Sequence, residues 1–186
     1  RQMCIRDSSN AGHNSPLYQS PPGDPDGSVE TGINYLANSR GIPNSKLNMG
    51  IPFWGKKYNT SQINGSFSGS VVDMHYSEIL PLIDNGWDYQ WDNNAKCPYL
   101  IKNDQSQIIT YDNPLSIQRK SEFAKDRNLG GVMVWALGYD AQNSSETLTE
   151  AIYTHWLSTE EGHIIVPSVI TVNVFPNPFN PVINIR

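Results

Sequence analysis

Apolar positions along the chain follow two periods. Val29, Ile33, Leu36 and Ala37 fall at i, i+4, i+7 and i+8, one face of a helix. Asp26 or Ser28 stands where a cap is needed, Gly41 sits at the stop, and Pro43 prevents continuation. Leu47 to Phe53 then reads as a strand closed by Gly55. Further on, Asn113-Pro114 opens a helix with proline in its first turn, carrying Ile117 and Ala124 and ending at Gly130-Gly131. Val132 to Leu137 is an unbroken apolar run, the pattern of a parallel strand covered on both faces. Leu148, Ala151, Ile152 and His155 mark a last helical face. Two strand-then-helix units predict an α/β fold with a parallel sheet.

The stretch between the two strands has another texture. Asp73 is placed to cap a helix with Tyr76, Ile79, Leu80 and Ile83 on one face, stopped by Gly86. Trp87 to Asp92, Pro98 to Lys102 and Gln107 to Asp112 read as short antiparallel strands, with Asn103-Asp104 as a turn. This predicts a small α+β insertion over residues 57–112, after the C-terminal end of a strand. In a β/α barrel that end is the active-site face, so an insertion there can wall a cleft.

Composition narrows the function classes. The 186 residues carry 13 basic and 18 acidic side chains, with no basic cluster, which argues against a nucleic-acid surface. No apolar run approaches the length of a membrane span. Charged residues are only 17% of the chain while aromatics are 10%, the reverse of a disordered composition. The two cysteines, Cys4 and Cys97, fix no disulfide framework, and the four histidines match no zinc spacing. No metal or organic cofactor is implied.

The ends differ from the middle. Residues 1–8 (RQMCIRDS) show no period, cap or turn logic, resemble a translated adaptor sequence, and are read as a non-native head. From Leu157 a polar connector runs to Val166, and Ser168 to Val174 alternates like a strand. Pro176, Pro178 and Pro181 then force an extended, turning path. The stretch Phe175-Pro176-Asn177-Pro178-Phe179-Asn180-Pro181-Val182 resembles the opening of the C-terminal sorting domain of the type IX secretion pathway. Residues 158–186 are therefore read as a linker and a truncated start of that domain. The resemblance implies the secretion machinery as a partner and a secreted or cell-surface bacterial location.

Several blocks of the middle resemble one enzyme family. They are Gly12-His13-Asn14-Ser15-Pro16-Leu17-Tyr18, Gly50-Ile51-Pro52-Phe53-Trp54-Gly55-Lys56, Tyr76-Ser77-Glu78-Ile79, and Leu129-Gly130-Gly131-Val132-Met133-Val134-Trp135-Ala136-Leu137. In order and spacing, residues 9–157 resemble the C-terminal half of glycoside hydrolase family 18, in the chitinase subfamily with an α+β insertion. The resemblance implies a partial (β/α)8 barrel, holding its seventh and eighth strands. It implies hydrolysis of β-1,4-linked N-acetylglucosamine polymers, with chitin or its oligosaccharides as the partner. In this family the substrate's own acetamide attacks, a departure from the two-carboxylate scheme.

The family's acid lies in a D-G-x-D-x-D-x-E motif, which this sequence lacks; Asp24/Asp26 and Glu160/Glu161 do not fit it. No catalytic residue is assigned, the acid is expected upstream, and the chain alone is expected to be inactive. The resemblance implies substrate contacts instead. Trp135 would floor the subsite at the cleaved bond, with Met133 on the same face. Trp54 and Lys56 stand where the family has Tyr and Arg, keeping an aromatic face and a charge but losing the hydroxyl and the planar fork. Glu78 would face the cleft and pair with Lys56. Trp91 and Asp92 read as insertion core and turn, and His13 as a loop residue. A chitin-binding, non-catalytic lectin of the same family is the alternative reading.

Overall fold

The computed structural model describes residues 10–20, 27–142 and 144–157. The head at residues 1–8 and the sorting-domain reading at residues 158–186 lie outside them.

The first helix, α1 (Val29–Asn34), starts at Ser28, whose hydroxyl accepts a hydrogen bond from the Thr31 amide. It runs on as a π-helical turn over Tyr35–Ser39, and Gly41 leaves it at φ +66°. Strand β1 (Asn48–Pro52) follows with Met49 and Ile51 buried. Here the sequence reading needs correction. Gly55 does not close a strand but sits inside a second one, β2 (Trp54–Asn59). The residue has to be glycine. A Cβ at position 55 would stand 2.5 Å from the Thr110 carbonyl oxygen and 2.8 Å from both Ile79 Cδ1 and Tyr111 Cβ.

Strand β3 (Ser68–His75) pairs antiparallel with β2. Asp73 therefore lies within a strand, opposite Lys56, and caps nothing. Ladder bonding takes up its backbone, and helix α2 (Tyr76–Ile79) begins only after His75. Strands β4 (Trp87–Asp92), β5 (Cys97–Lys102) and β6 (Ile108–Thr110) form close to the predicted positions. The result is a five-stranded antiparallel sheet in the order β3-β2-β6-β5-β4. Its outer strand β3 is nearly all exposed, including Val71 and Val72.

Helix α3 (Pro114–Asp126) has Pro114 in its first turn and a reciprocal cap between Asn113 and Ser116. It stops at Asn128, which takes the left-handed conformation at φ 53°, with the Leu129 amide bonding back to the Ala124 carbonyl. The glycine pair thus comes after the stop. A Cβ on Gly130 would collide with the Ser45 carbonyl oxygen, so its role is close backbone approach.

Strand β7 (Gly131–Trp135) pairs parallel with β1, in register from Asn48 opposite Gly131 to Pro52 opposite Trp135. This two-stranded sheet is the barrel-like part, and the barrel is not closed among the described residues. Met49, Ile51, Val132 and Val134 join the main core with Ile117, Phe123 and Ala124 of α3. The expectation that β7 is covered on both faces fails. The strand is half-buried, because its second face, carrying Met133 and Trp135, has no layer over it among the described residues. Leu137 falls outside it, in a 3-10 turn (Leu137–Tyr139), and helix α4 (Leu148–Ile152) closes the fold against α3.

Gly55→Ala is expected to cost about 1–3 kcal/mol, the range for overpacking a dense core. Urea unfolding measures it, and an unchanged midpoint would mean that β2 and β6 can part without loss.

Candidate functional site

The two sheets meet where β1 ends. The Phe53 amide donates to the Trp135 carbonyl at 2.8 Å, and the Tyr76 amide donates to the Phe53 carbonyl at 3.0 Å. One residue, Phe53, thereby joins the end of β7 to the start of α2, and its own side chain is fully buried. On either side the chain presents aromatic surface. Trp135 is 58% exposed at the tip of β7, and Met133 lies half-buried beneath it on the same strand face. The peptide bond after Trp135 is cis. Trp54 opens β2, with its carbonyl held by the Asn14 side-chain amide at 2.9 Å.

Lys56 lies two residues on, on the same face of β2, with its Nζ 5.7 Å from the centre of the Trp54 ring. Glu78 is not paired with it. A carboxylate oxygen of Glu78 accepts the His75 amide at 2.7 Å and stands 4.0 Å from His75 Nδ1. The structure therefore brings Trp135, Met133, Trp54 and Lys56 to one end of the two sheets and leaves Glu78 acting on its own helix start.

Two further residues come together that no sequence motif links. His75 lies opposite Trp54 in the β2–β3 register, and its ring stacks on Tyr139 with centroids 3.7 Å apart and planes 10° from parallel. No spacing rule links two positions so far apart in sequence and on different elements.

The loop over residues 10–20 is tied down on three sides. Its Ala11 amide donates to Gly65 and its Leu17 amide to Ala95. His13 Nε2 lies 3.0 Å from an Asp92 carboxylate oxygen, edge-on to Tyr99. Asp92 also accepts the Asn94 and Ala95 amides, so it is more than a turn residue. Burial alone would raise the Asp92 carboxyl, but the bonds from His13, Ala95, Ser20 and Asn94 outweigh it and hold the group well below the usual carboxylate range.

The third tie is an ion pair with both partners buried. Lys120 of α3 places its Nζ 2.6 and 2.7 Å from the two carboxylate oxygens of Asp112 and 2.8 Å from Ser15 Oγ. Ser116 Oγ adds a donor to Asp112 at 2.6 Å. All three ammonium protons are used, so two side chains at 0% exposure are charged without an orphan donor. Among the described residues no group of three His, Cys, Asp or Glu side chains is placed to hold a metal ion. Burial pushes the Cys97 thiol well above its ordinary value, which removes it as a nucleophile.

An open two-stranded parallel sheet with an antiparallel sheet at its C-terminal end is a piece of an α/β architecture with its aromatic residues gathered at that end. The model of glycosyl hydrolases family 18 matches residues 3–140, and the chain belongs to that family. It is 28% identical to an endochitinase of Manduca sexta over 192 aligned positions, covering 88% of this chain and 33% of that protein. The crystal structure of a group IV chitinase from Ostrinia furnacalis matches with a TM-score of 0.72 at 26% identity, over 81% of this chain and 47% of that one. Human YKL-39, described as a pseudo-chitinase with retained chitooligosaccharide binding, matches with a TM-score of 0.70 at 26% identity, over 78% and 45%. The chain thus spans less than half the length of these relatives.

Lys120→Met should be far worse than its exposure-neutral volume suggests. It leaves Asp112 charged and unpaired in the interior, a loss of about 3–5 kcal/mol. Adding Asp112→Leu is expected to recover most of that loss in urea unfolding; no recovery would mean that the pair is not the cause.

A second test concerns acid. Because the folded-state carboxyl of Asp92 is depressed, its contribution to stability is complete above the unfolded value near about 3.9. It is lost as the pH falls through the folded value. Unfolding midpoints are expected to fall more steeply below about pH 4 in the native chain than in Asp92→Asn, and parallel profiles would contradict this.

Proposed function

We propose that this chain forms part of the substrate cleft of a chitinase acting on β-1,4-N-acetylglucosamine polymers by substrate-assisted retaining catalysis. The observation that carries the reading is the largely exposed indole of Trp135 at the tip of β7, beside Met133 and one backbone hydrogen bond from the Trp54 turn. A pyranose ring offers one face of C–H groups, and an indole left open at a strand end is a surface on which such a face can pack. Trp54 with Lys56 supplies a second aromatic face bearing a charge, suited to hydroxyl and acetamide oxygens.

On this reading the chain binds and does not cut. The sequence contains no D-G-x-D-x-D-x-E stretch, so proton donation and acetamide orientation fall to residues outside these 186. The second reading is a chitin-binding lectin without hydrolysis. The match to a human pseudo-chitinase that retains chitooligosaccharide binding gives it specific support. The two part over turnover by the parent protein, since both keep Trp135. The tail from Ser168 belongs to the same proposal as a type IX sorting signal, placing the parent outside the bacterial cell. Retention of a reporter inside the cell when fused to a complete version of this tail would refute that part.

Trp135→Ala is the direct test. Covering roughly 80 Å² of indole is worth about 2 kcal/mol at about 25 cal/mol per Å², which is about thirtyfold in affinity. Titration calorimetry with N-acetylglucosamine tetrasaccharide is expected to show that loss, without any release of shorter sugars by the chain itself. Equal affinity in the two proteins would remove Trp135 from the site.

A further inference from the structure

Trp135 ends β7, just before the turn Leu137–Tyr139. Trp135 is 58% and Leu137 64% exposed, whereas Tyr139 is half-buried against the edge of the main core, so among these large side chains Tyr139 is the one that anchors the segment from Ala136 to Tyr139 by burial. At its far end it is fixed firmly. Asp140 accepts the amides of Ala141, Leu148 and Thr149 and the Thr149 hydroxyl, all between 2.6 and 2.9 Å. At its near end it is fixed by β7. Between those points the turn has its own hydrogen bond, from the Tyr139 amide to the Ala136 carbonyl at 2.9 Å, and the stack of Tyr139 on His75.

The stack comes from the other sheet. His75 ends β3, lies directly opposite Trp54, and is itself fixed by the hydrogen bond that its backbone amide donates to a Glu78 carboxylate oxygen. A face-to-face ring contact at 3.7 Å is short for an aromatic pair and orients both rings. A chain of contacts therefore runs from Glu78 through His75 and Tyr139 to the turn that follows Trp135. Nothing in the sugar-binding reading requires His75 or Tyr139 to touch a ligand.

We infer that His75 is a positioning residue of the glycan site: its ring, stacked on Tyr139 and set by Glu78, holds the turn that orients Trp135 relative to Trp54. This rests on the proposed binding of N-acetylglucosamine oligosaccharides. It also gives Glu78 a different task from sugar contact, that of setting the His75 backbone.

The test uses protein labelled with 5-fluorotryptophan, in which each of the 5 tryptophans gives its own fluorine signal. Trp135→Phe assigns the signal of interest. His75→Ala and Tyr139→Ala are each expected to shift or broaden the Trp135 signal and to weaken binding of the N-acetylglucosamine tetrasaccharide by about five- to tenfold, the scale of one lost aromatic contact. His75→Phe, which keeps a flat ring and loses the imidazole, is expected to restore both to within about twofold. A role for the imidazole nitrogens would not be rescued by a ring that shares only its shape, and a loss of general stability would not act selectively on the Trp135 signal. An unmoved Trp135 signal in His75→Ala, or a His75→Phe protein as impaired as His75→Ala, overturns the inference. No binding by the unmutated protein overturns the glycan reading and the role in binding with it, and is told apart because the fluorine signal still reports whether the stack orients Trp135.

Discussion

Everything at the site hangs on one buried ion pair. Lys120 and Asp112 are both fully buried, and taking two charges out of water costs several kcal/mol for each before their attraction offsets it. The expense is tolerable because every ammonium proton finds an oxygen and the carboxylate gains a hydroxyl donor. The three attached segments explain its placement. Asp112 follows the β6 strand of the antiparallel sheet, Lys120 belongs to the helix packed on the parallel sheet, and Ser15 belongs to the loop that also holds Trp54 through Asn14. An apolar contact at this point could bring the three together in several ways. A satisfied ion pair admits few, because any slip strands a charge.

That constraint explains why two sheets of different kinds keep a fixed relation. The parallel pair β1–β7 gains its stability from α3 and its buried aliphatic side chains on one face. The antiparallel sheet has its own small cluster around Ala11, Tyr58 and Ile108 under the N-terminal loop. The main core runs between them through Phe53, Tyr76, Ile79 and Tyr111. Gly55 marks the closest approach, where no side chain fits between β2 and β6. The aromatic residues at the sheet ends are therefore held by a dry, tightly packed base.

Much of this was legible in the sequence where a local rule operates. The Asn113-Pro114 start of α3 is a capping signal that acts within one turn, and β4, β5 and β6 each carry their own pattern and turn. The family blocks singled out Trp135 and Trp54 as candidate substrate contacts. What stayed hidden depends on distant partners. β2 and β3 are poor strands by composition, rich in glycine, lysine and serine, and exist because each pairs with the other and β2 also with β6. Asp73 has a capping side chain, and only the ladder makes it a strand residue. Glu78 has the chemistry for a pair with Lys56, yet the nearby His75 amide claims it first. His75 and Tyr139 carry no signal alone, since a stack is a property of two rings in space.

The outermost strand of the insertion, β3, has another consequence. It contributes almost nothing to the core, since of its 8 residues only Met74 is even half-buried. Its course is nonetheless fixed, by the ladder to β2 and by His75 at its end. Substitution along Ser70 to Asp73 is thus nearly free of folding penalty, while it redraws the surface beside Trp54 and Lys56. A surface built this way can change its side chains over evolutionary time while the framework beneath it stays the same.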